Sequence, residues 1–324
     1  MPSNTIDIQL IRDESPFYYE AAEKHGGLFW GIQWRRIYYK NVEVYGIYNK
    51  NRLCGGFMLY RSKRVFLTML TNPPFMPSFG PWLVKKEYSN FQKQRDFERS
   101  VYTEIAKFLD QQRVKIKTLV LHPAVRDVLP FFWKQFKISP QLTYRIDLTH
   151  SPDEIKKNLS GDKRNLISKS KRKDYQAVIT YDYKKLEEQT KSYLDRKNIK
   201  VNPELLHHLF YEFANRNNSF GVMVKKDETV LSFGFFVHNK RECYYLFGGN
   251  SGNGDNSSGT FVLWKAIEQA KNKNIRWFDF EGSIIPNVER YFSGFGGVPI
   301  DYYRINKASL FLEILLKFFK RNIF

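Results

Sequence analysis

Cysteine is nearly absent: Cys54 and Cys243 are the only two in 324 residues. They support neither a disulfide framework nor a zinc cluster, and the six histidines include no pair at metal-binding helical spacing, so no metal site is expected. No apolar run reaches the roughly 18 residues that cross a bilayer. The segment Met1-Pro2-Ser3-Asn4-Thr5-Ile6-Asp7 lacks the basic stretch and apolar core of a signal peptide, so a cytosolic location is expected. Walker A and dinucleotide fingerprints are missing as well. What is present is charge and aromaticity. Lys+Arg number 52 against 33 Asp+Glu, a formal net charge of +19, and aromatics make up 17%. That composition excludes disorder. The charge asks for an anionic partner, whether nucleic acid, phospholipid headgroups or a phosphate-bearing substrate, although lysines also serve solubility alone.

The length suits two domains. Val42 to Tyr48 and Arg52 to Tyr60, joined at Asn49-Lys50-Asn51, read as a hairpin, and Val65 to Leu70 as a third strand. A proline-rich loop from Asn72 to Trp82 follows, then a helix through Phe97, Val101, Ile105 and Leu109, then a strand from Lys115 to Leu121. A helix is expected over Ala124 to Gln135, kinked by Pro130. The second half repeats the order: strands at Val222 to Val224, Leu231 to Val237 and Cys243 to Phe247, a helix over Phe261 to Lys271, and a strand over Ile275 to Phe280. Leu53-Cys54-Gly55-Gly56-Phe57 aligns with Leu231-Ser232-Phe233-Gly234-Phe235 at an offset of 178 residues, which points to two copies of one α/β (α+β) unit, divided as 1–150 and 151–324. Ser151-Pro152-Asp153-Glu154 opens a helix with a capping box. That helix runs into Lys156 to Lys173, with eight basic residues and one acid, Asp162, interrupted at Gly161. Such a run is either a phosphate-gripping arm or a solvated face. Leu310 to Phe324 reads as a basic amphipathic helix, suited to a membrane interface or to docking on its own domain.

Chemistry is expected at the end of the Ile275 to Phe280 strand. Period-2 alternation puts Asp279 and Glu281 on one face, where they could bind a substrate ammonium or accept its proton, or else pair with Arg290 or Arg304. Gly248 to Gly254 precedes the Phe261 helix, whose free amides could receive a phosphate or carboxylate. Tyr291-Phe292-Ser293-Gly294-Phe295-Gly296-Gly297 combines aromatic anchors with glycines that let a ligand approach the backbone.

Trp277-Phe278-Asp279-Phe280-Glu281-Gly282-Ser283, Asn287 to Phe292 and Phe295-Gly296-Gly297 resemble the C-terminal signature of the Fem-type transferases, tandem-domain members of the GNAT superfamily. Lys163-Arg164-Asn165-Leu166-Ile167, Leu263-Trp264-Lys265-Ala266-Ile267 and the Tyr144 to Leu148 strand extend the resemblance over most of the chain. It implies tandem GNAT-like domains, each a mixed, mostly antiparallel sheet flanked by helices. It also implies transfer of an acyl or aminoacyl group to an amine of a peptidoglycan-type envelope precursor.

The catalytic candidates are then Asp279, Glu281 and Arg290. Lys163, Arg164, Tyr245, Gly282, Ser283, Phe292, Phe295, Gly296, Gly297 and Tyr303 are the candidate substrate contacts. Two features depart from the family. A basic residue, often Lys, is usual between the two phenylalanines, where this chain has Ser293-Gly294, so the role of stabilising negative charge on the donor is unassigned, with Arg290 a substitute. Neither a long coiled-coil insertion nor an Arg/Gln-x-x-Gly-x-Gly/Ala loop is present, so aminoacyl-tRNA and acyl-CoA both remain open as donors, and no tightly bound cofactor is expected. The expected partners are a phosphate-bearing precursor, tRNA, and a membrane surface touched by the last helix. CoA-dependent N-acetylation of an amino sugar or other small amine is a second reading. A non-catalytic RNA-binding or membrane-surface protein is a third.

Overall fold

A two-residue turn, Lys50-Asn51, sets the first hairpin: both residues are left-handed, at φ 49° and 62°, the twist that matches two antiparallel strands. The computed structural model describes residues 5–38, 41–64 and 67–319. Its elements begin with β1 (Ile6–Leu10), α1 (Pro16–Gly26), α2 (Ile32–Arg36), β2 (Val42–Asn49), β3 (Arg52–Arg64), β4 (Leu67–Thr71), β5 (Trp82–Leu83), α3 (Phe91–Gln111), β6 (Ile116–Val120) and α4 (Leu129–Trp133). Next come β7 (Lys137–Asp147), α5 (Pro152–Asn158), α6 (Gly161–Arg172), β8 (Gln176–Thr180), α7 (Tyr183–Arg196), α8 (Pro203–His208), β9 (Ser219–Lys226) and β10 (Thr229–His238). The chain continues through β11 (Glu242–Asn250), α9 (Asn256–Asn272), β12 (Trp277–Asp279), α10 (Pro286–Ser293), β13 (Val298–Ala308) and α11 (Leu310–Phe319). Residues 65 and 66 of the expected third strand and 320–324 of the expected amphipathic helix lie outside the described residues.

The chain divides into two compact units, one of residues 1–141 with 301–324 and one of residues 142–300. In the first, the strands run in the order β1-β2-β3-β4-β6-β13, antiparallel except where β4 meets β6. The four-residue spacing of Phe97, Val101, Ile105 and Leu109 turns one stripe of α3 toward Phe57, Leu119 and Ile305, forming this unit's core. In the second unit the order is β7-β12-β11-β10-β9-β8, antiparallel except where β11 meets β12. There α9 lays Phe261, Val262, Leu263 and Ile267 against Val222, Phe236 and Phe278. Each unit is thus a mixed, mostly antiparallel sheet with helices, in the same strand order.

The capping box at Ser151 and Glu154 forms as expected, and Ser160 caps a second helix at the Gly161 interruption. Two elements are shorter than expected. The Ala124 to Gln135 helix is only α4, because Pro130 is accommodated in a first turn and not in a helix interior. The Ile275 to Phe280 strand shrinks to β12, because the backbone turns left-handed at Glu281.

Candidate active site

β12 ends at the centre of a charged network. Asp279 is 3% exposed, and Arg145 of the neighbouring β7 donates from Nε to its Oδ2 at 2.6 Å. Thr143 Oγ1 donates to Oδ1 at 2.7 Å, and the backbone N–H of Glu281 donates to the same oxygen at 2.8 Å. Arg145 also reaches Glu242 at 3.4 Å, and Tyr244 donates its hydroxyl to Glu242. The partner of Asp279 is therefore Arg145, not Arg290 or Arg304. Arg290 stands exposed on α10.

The chain then bends. Glu281 has φ 55° and Gly282 φ 62°, and a Cβ at Gly282 would fall 1.9 Å from the carbonyl oxygen of Leu142, so only glycine fits. The strand alternation expected to pair Asp279 with Glu281 stops at Asp279. Glu281 Oε1 is buried with no hydrogen-bond partner among the described residues. Burial first, and the charge of Asp279 second, push its carboxyl well above the ordinary carboxylate range. Ser283 Oγ accepts from Ile285 N and shapes the turn into α10.

α10 and the glycines after it pack against α5 and α6. Phe292 stacks on Phe280 at 5.2 Å, and Phe295 meets Phe280 at 5.2 Å. Tyr245 meets the edge of Phe292 at 6.1 Å. Gly296, at φ 73°, lies so close to Asn158 that a Cβ would sit 2.2 Å from its carbonyl oxygen. Gly297 faces the backbone of Arg145.

Lys163 completes this aromatic cluster. It is 5% exposed on α6, with Nζ 3.3 Å from the centre of the Tyr291 ring and 4.7 Å from that of Phe295. Among the described residues no carboxylate forms an ion pair with it. Burial pushes its pKa down to about 8, with Asp162 pulling the other way. Its stem lies over Gly294, where a Cβ would come within 2.9 Å of Lys163 Cε, and Ser160 N donates to Gly294 O at 2.9 Å. The side chain missing at 294 is thus the space that Lys163 fills. A cation reaches the Phe292 to Phe295 stretch from α6, which spacing along the chain could not reveal.

The rest of the basic run has other work. Arg164 donates to the carbonyls of Lys157 and Leu159, closing the α5 to α6 junction. Lys173 pairs with Asp255 at 2.8 Å. Asp255 caps α9 through Ser258 N at 2.8 Å, so the amides expected to receive a phosphate are already covered by a carboxylate of the chain itself. Lys156, Lys157, Lys169, Lys171 and Arg172 are exposed. Tyr303 lies in the other unit, where its carbonyl accepts from Leu121 N, so it is not part of this cluster. Among the described residues no group of His, Cys, Asp and Glu could hold a metal ion.

Residues 175–293 match the acetyltransferase (GNAT) domain family. No curated protein sequence matches the chain. Among solved structures it is similar to FemX at 12% identity, covering 95% of this chain and 99% of that one with a TM-score of 0.63. L-PGS from Bacillus licheniformis is similar at 12% identity, covering 93% and 95% with a TM-score of 0.55. A tandem GNAT protein from the clavulanic acid biosynthesis pathway is similar at 9% identity, covering 94% and 98% with a TM-score of 0.53. Residues 175–293 thus match the GNAT domain family, and the chain as a whole has the fold of FemX and of the tandem GNAT protein.

Proposed function

We propose that the protein transfers an aminoacyl group from an activated ester, carried by aminoacyl-tRNA, to an amine of an anionic cell-envelope precursor. The observation that carries this reading is the buried Lys163 ammonium, which lies against aromatic rings with no carboxylate paired to it among the described residues. In aminoacyl transfer the amine nitrogen forms a bond to the ester carbonyl carbon and the ester C–O bond breaks. One proton leaves the amine and one is gained by the departing oxygen. Negative charge develops on oxygen along the way, and a dehydrated cation fixed in advance stabilises it more than a solvated one does. With a pKa of about 8, Lys163 is charged at neutral pH and is a competent proton donor to a leaving alkoxide.

Glu281, whose carboxyl burial pushes upward, is the second proton-handling group. Asp279 holds Arg145 and, through its bond to the Glu281 N–H, sets the position of Glu281. The exposed lysines of α6 supply the field that gathers a phosphate-bearing partner. The choice of tRNA over acyl-CoA rests on α9: a pyrophosphate at its N-terminus would meet Asp255. Single-turnover transfer from aminoacyl-tRNA tests this reading. Lys163→Met should slow transfer about 10²- to 10³-fold with the fold intact, whereas wild-type rates in the variant remove Lys163 from the chemistry. Saturable acetyl-CoA binding by calorimetry would instead favour N-acetylation.

A further inference from the structure

Over residues 310–316 of α11, the side turned to solvent is the more apolar one. Leu310, Phe311, Ile314 and Leu315 are 76, 76, 52 and 46% exposed, and they share one arc of the helix roughly 140° wide. Leu312, Glu313 and Leu316 occupy the opposite arc and are half-buried, with Glu313 Oε1 accepting from Ala308 N at 3.0 Å. Over residues 310–316 the helix therefore rests on its own unit by one side and leaves the other exposed.

Beside its start lies α4, whose Leu129, Phe132 and Trp133 are also exposed, at 42, 62 and 58%. Lys307, near the end of β13, donates from Nζ to the carbonyl of Lys134 just after α4 at 2.8 Å, and Ser309 N, just before α11, donates to Lys115 O at 3.3 Å. Arg113 and Lys115 are exposed next to this junction.

We infer that α11 and α4 form a face that lies on the surface of an anionic phospholipid bilayer. The apolar stripe enters the headgroup and acyl boundary, Trp133 and Phe132 take the interfacial position that suits aromatic rings, and the neighbouring cations meet lipid phosphates. Charge selects this occupant over a second copy. Two chains of +19 repel, whereas an anionic leaflet attracts each of them. The contact is peripheral, since no described helix is long and apolar enough to cross a membrane.

Co-sedimentation of the full chain tests the face, using vesicles of phosphatidylcholine alone or mixed with phosphatidylglycerol at about 3:1. The protein should bind the mixed vesicles, release with added salt, and bind phosphatidylcholine weakly. Phe311→Ser with Leu315→Ser should lower the partition coefficient by at least about tenfold, and Trp133→Ala by a few-fold. These positions are exposed, so circular dichroism should be unchanged. Absence of binding to mixed vesicles, or equal binding by the double variant, overturns the proposal. So does light scattering that finds a wild-type dimer which the double variant converts to monomer, since the covering surface is then a second copy.

Discussion

Each unit buries a lysine, and the two are treated oppositely. Lys117 on β6, 7% exposed, donates to the Asp110 carbonyl at 3.0 Å, and the Asp110 carboxylate beside it pairs with Lys307 at 2.6 Å. Burial lowers its pKa and Asp110 pulls it back up. Lys163 in the other unit is as well buried but faces Tyr291 and Phe295 in place of a carbonyl and a nearby carboxylate. One lysine has been satisfied as part of the scaffold, and the other has been left in need of an anion, the state expected of a working group.

The aligned glycines make the same point. Gly55 and Gly56 are spent on β5, with Cβ positions blocked by Trp82 O and Tyr18 Oη, so that part of the first unit is filled by its own side chains. At the offset of 178, Gly234 packs against Phe236 and Val262. One strand order therefore carries two different interiors.

The contrast can be broken by mutation. The largest expected effect on stability is at Asp279→Asn, which strips Arg145 of a partner in a site where it is mostly buried. A loss of about 3–5 kcal/mol should appear as a lower denaturant midpoint. Next is the pair of lysine variants. Lys163→Met should abolish most transfer while holding or raising stability at pH 7, whereas Lys117→Met should leave the transfer rate nearly intact and report in stability. Equal effects would erase the distinction between the units.

Smaller effects concern pH. Because the folded pKa of Lys163 is about 8 against an ordinary lysine value of 10.5, the unfolded chain binds more protons between these values. Stability should therefore rise with pH across that window, and Lys163→Met should remove the rise. Glu281 has the opposite sign: its folded pKa is raised above 4.5, so the unfolded chain loses its proton first. Its stabilising contribution is complete below pH 4.5 and falls as pH climbs toward the folded value, and Glu281→Gln should flatten that fall. The smallest effect is at Asp255→Ala, which uncaps α9 and should cost about 1 kcal/mol by thermal melting.

Local features were legible in the sequence because they are set by neighbours. The Lys50-Asn51 turn, the Ser151 capping box, the α3 stripe and the offset repeat all follow from spacings of a few residues or from one internal match. What could not be read depends on distance. Arg145 reaches Asp279 across 134 residues, and no spacing rule connects them. The resemblance singles out Lys163 together with Arg164, but composition does not separate it from its exposed neighbours, which only the packing of α6 against α10 does. The end of β12 was misjudged for another reason. Alternation extends a strand through Glu281, but the approach of Leu142 forces a left-handed turn there.

The most direct measurement is an NMR pH titration of the protein with isotope-labelled lysine side chains. One lysine resonance should titrate near pH 8 and be absent from Lys163→Met. A spectrum in which no lysine titrates near pH 8, or in which that resonance survives Lys163→Met, would contradict the assignment of Lys163 as the unsatisfied cation of the site.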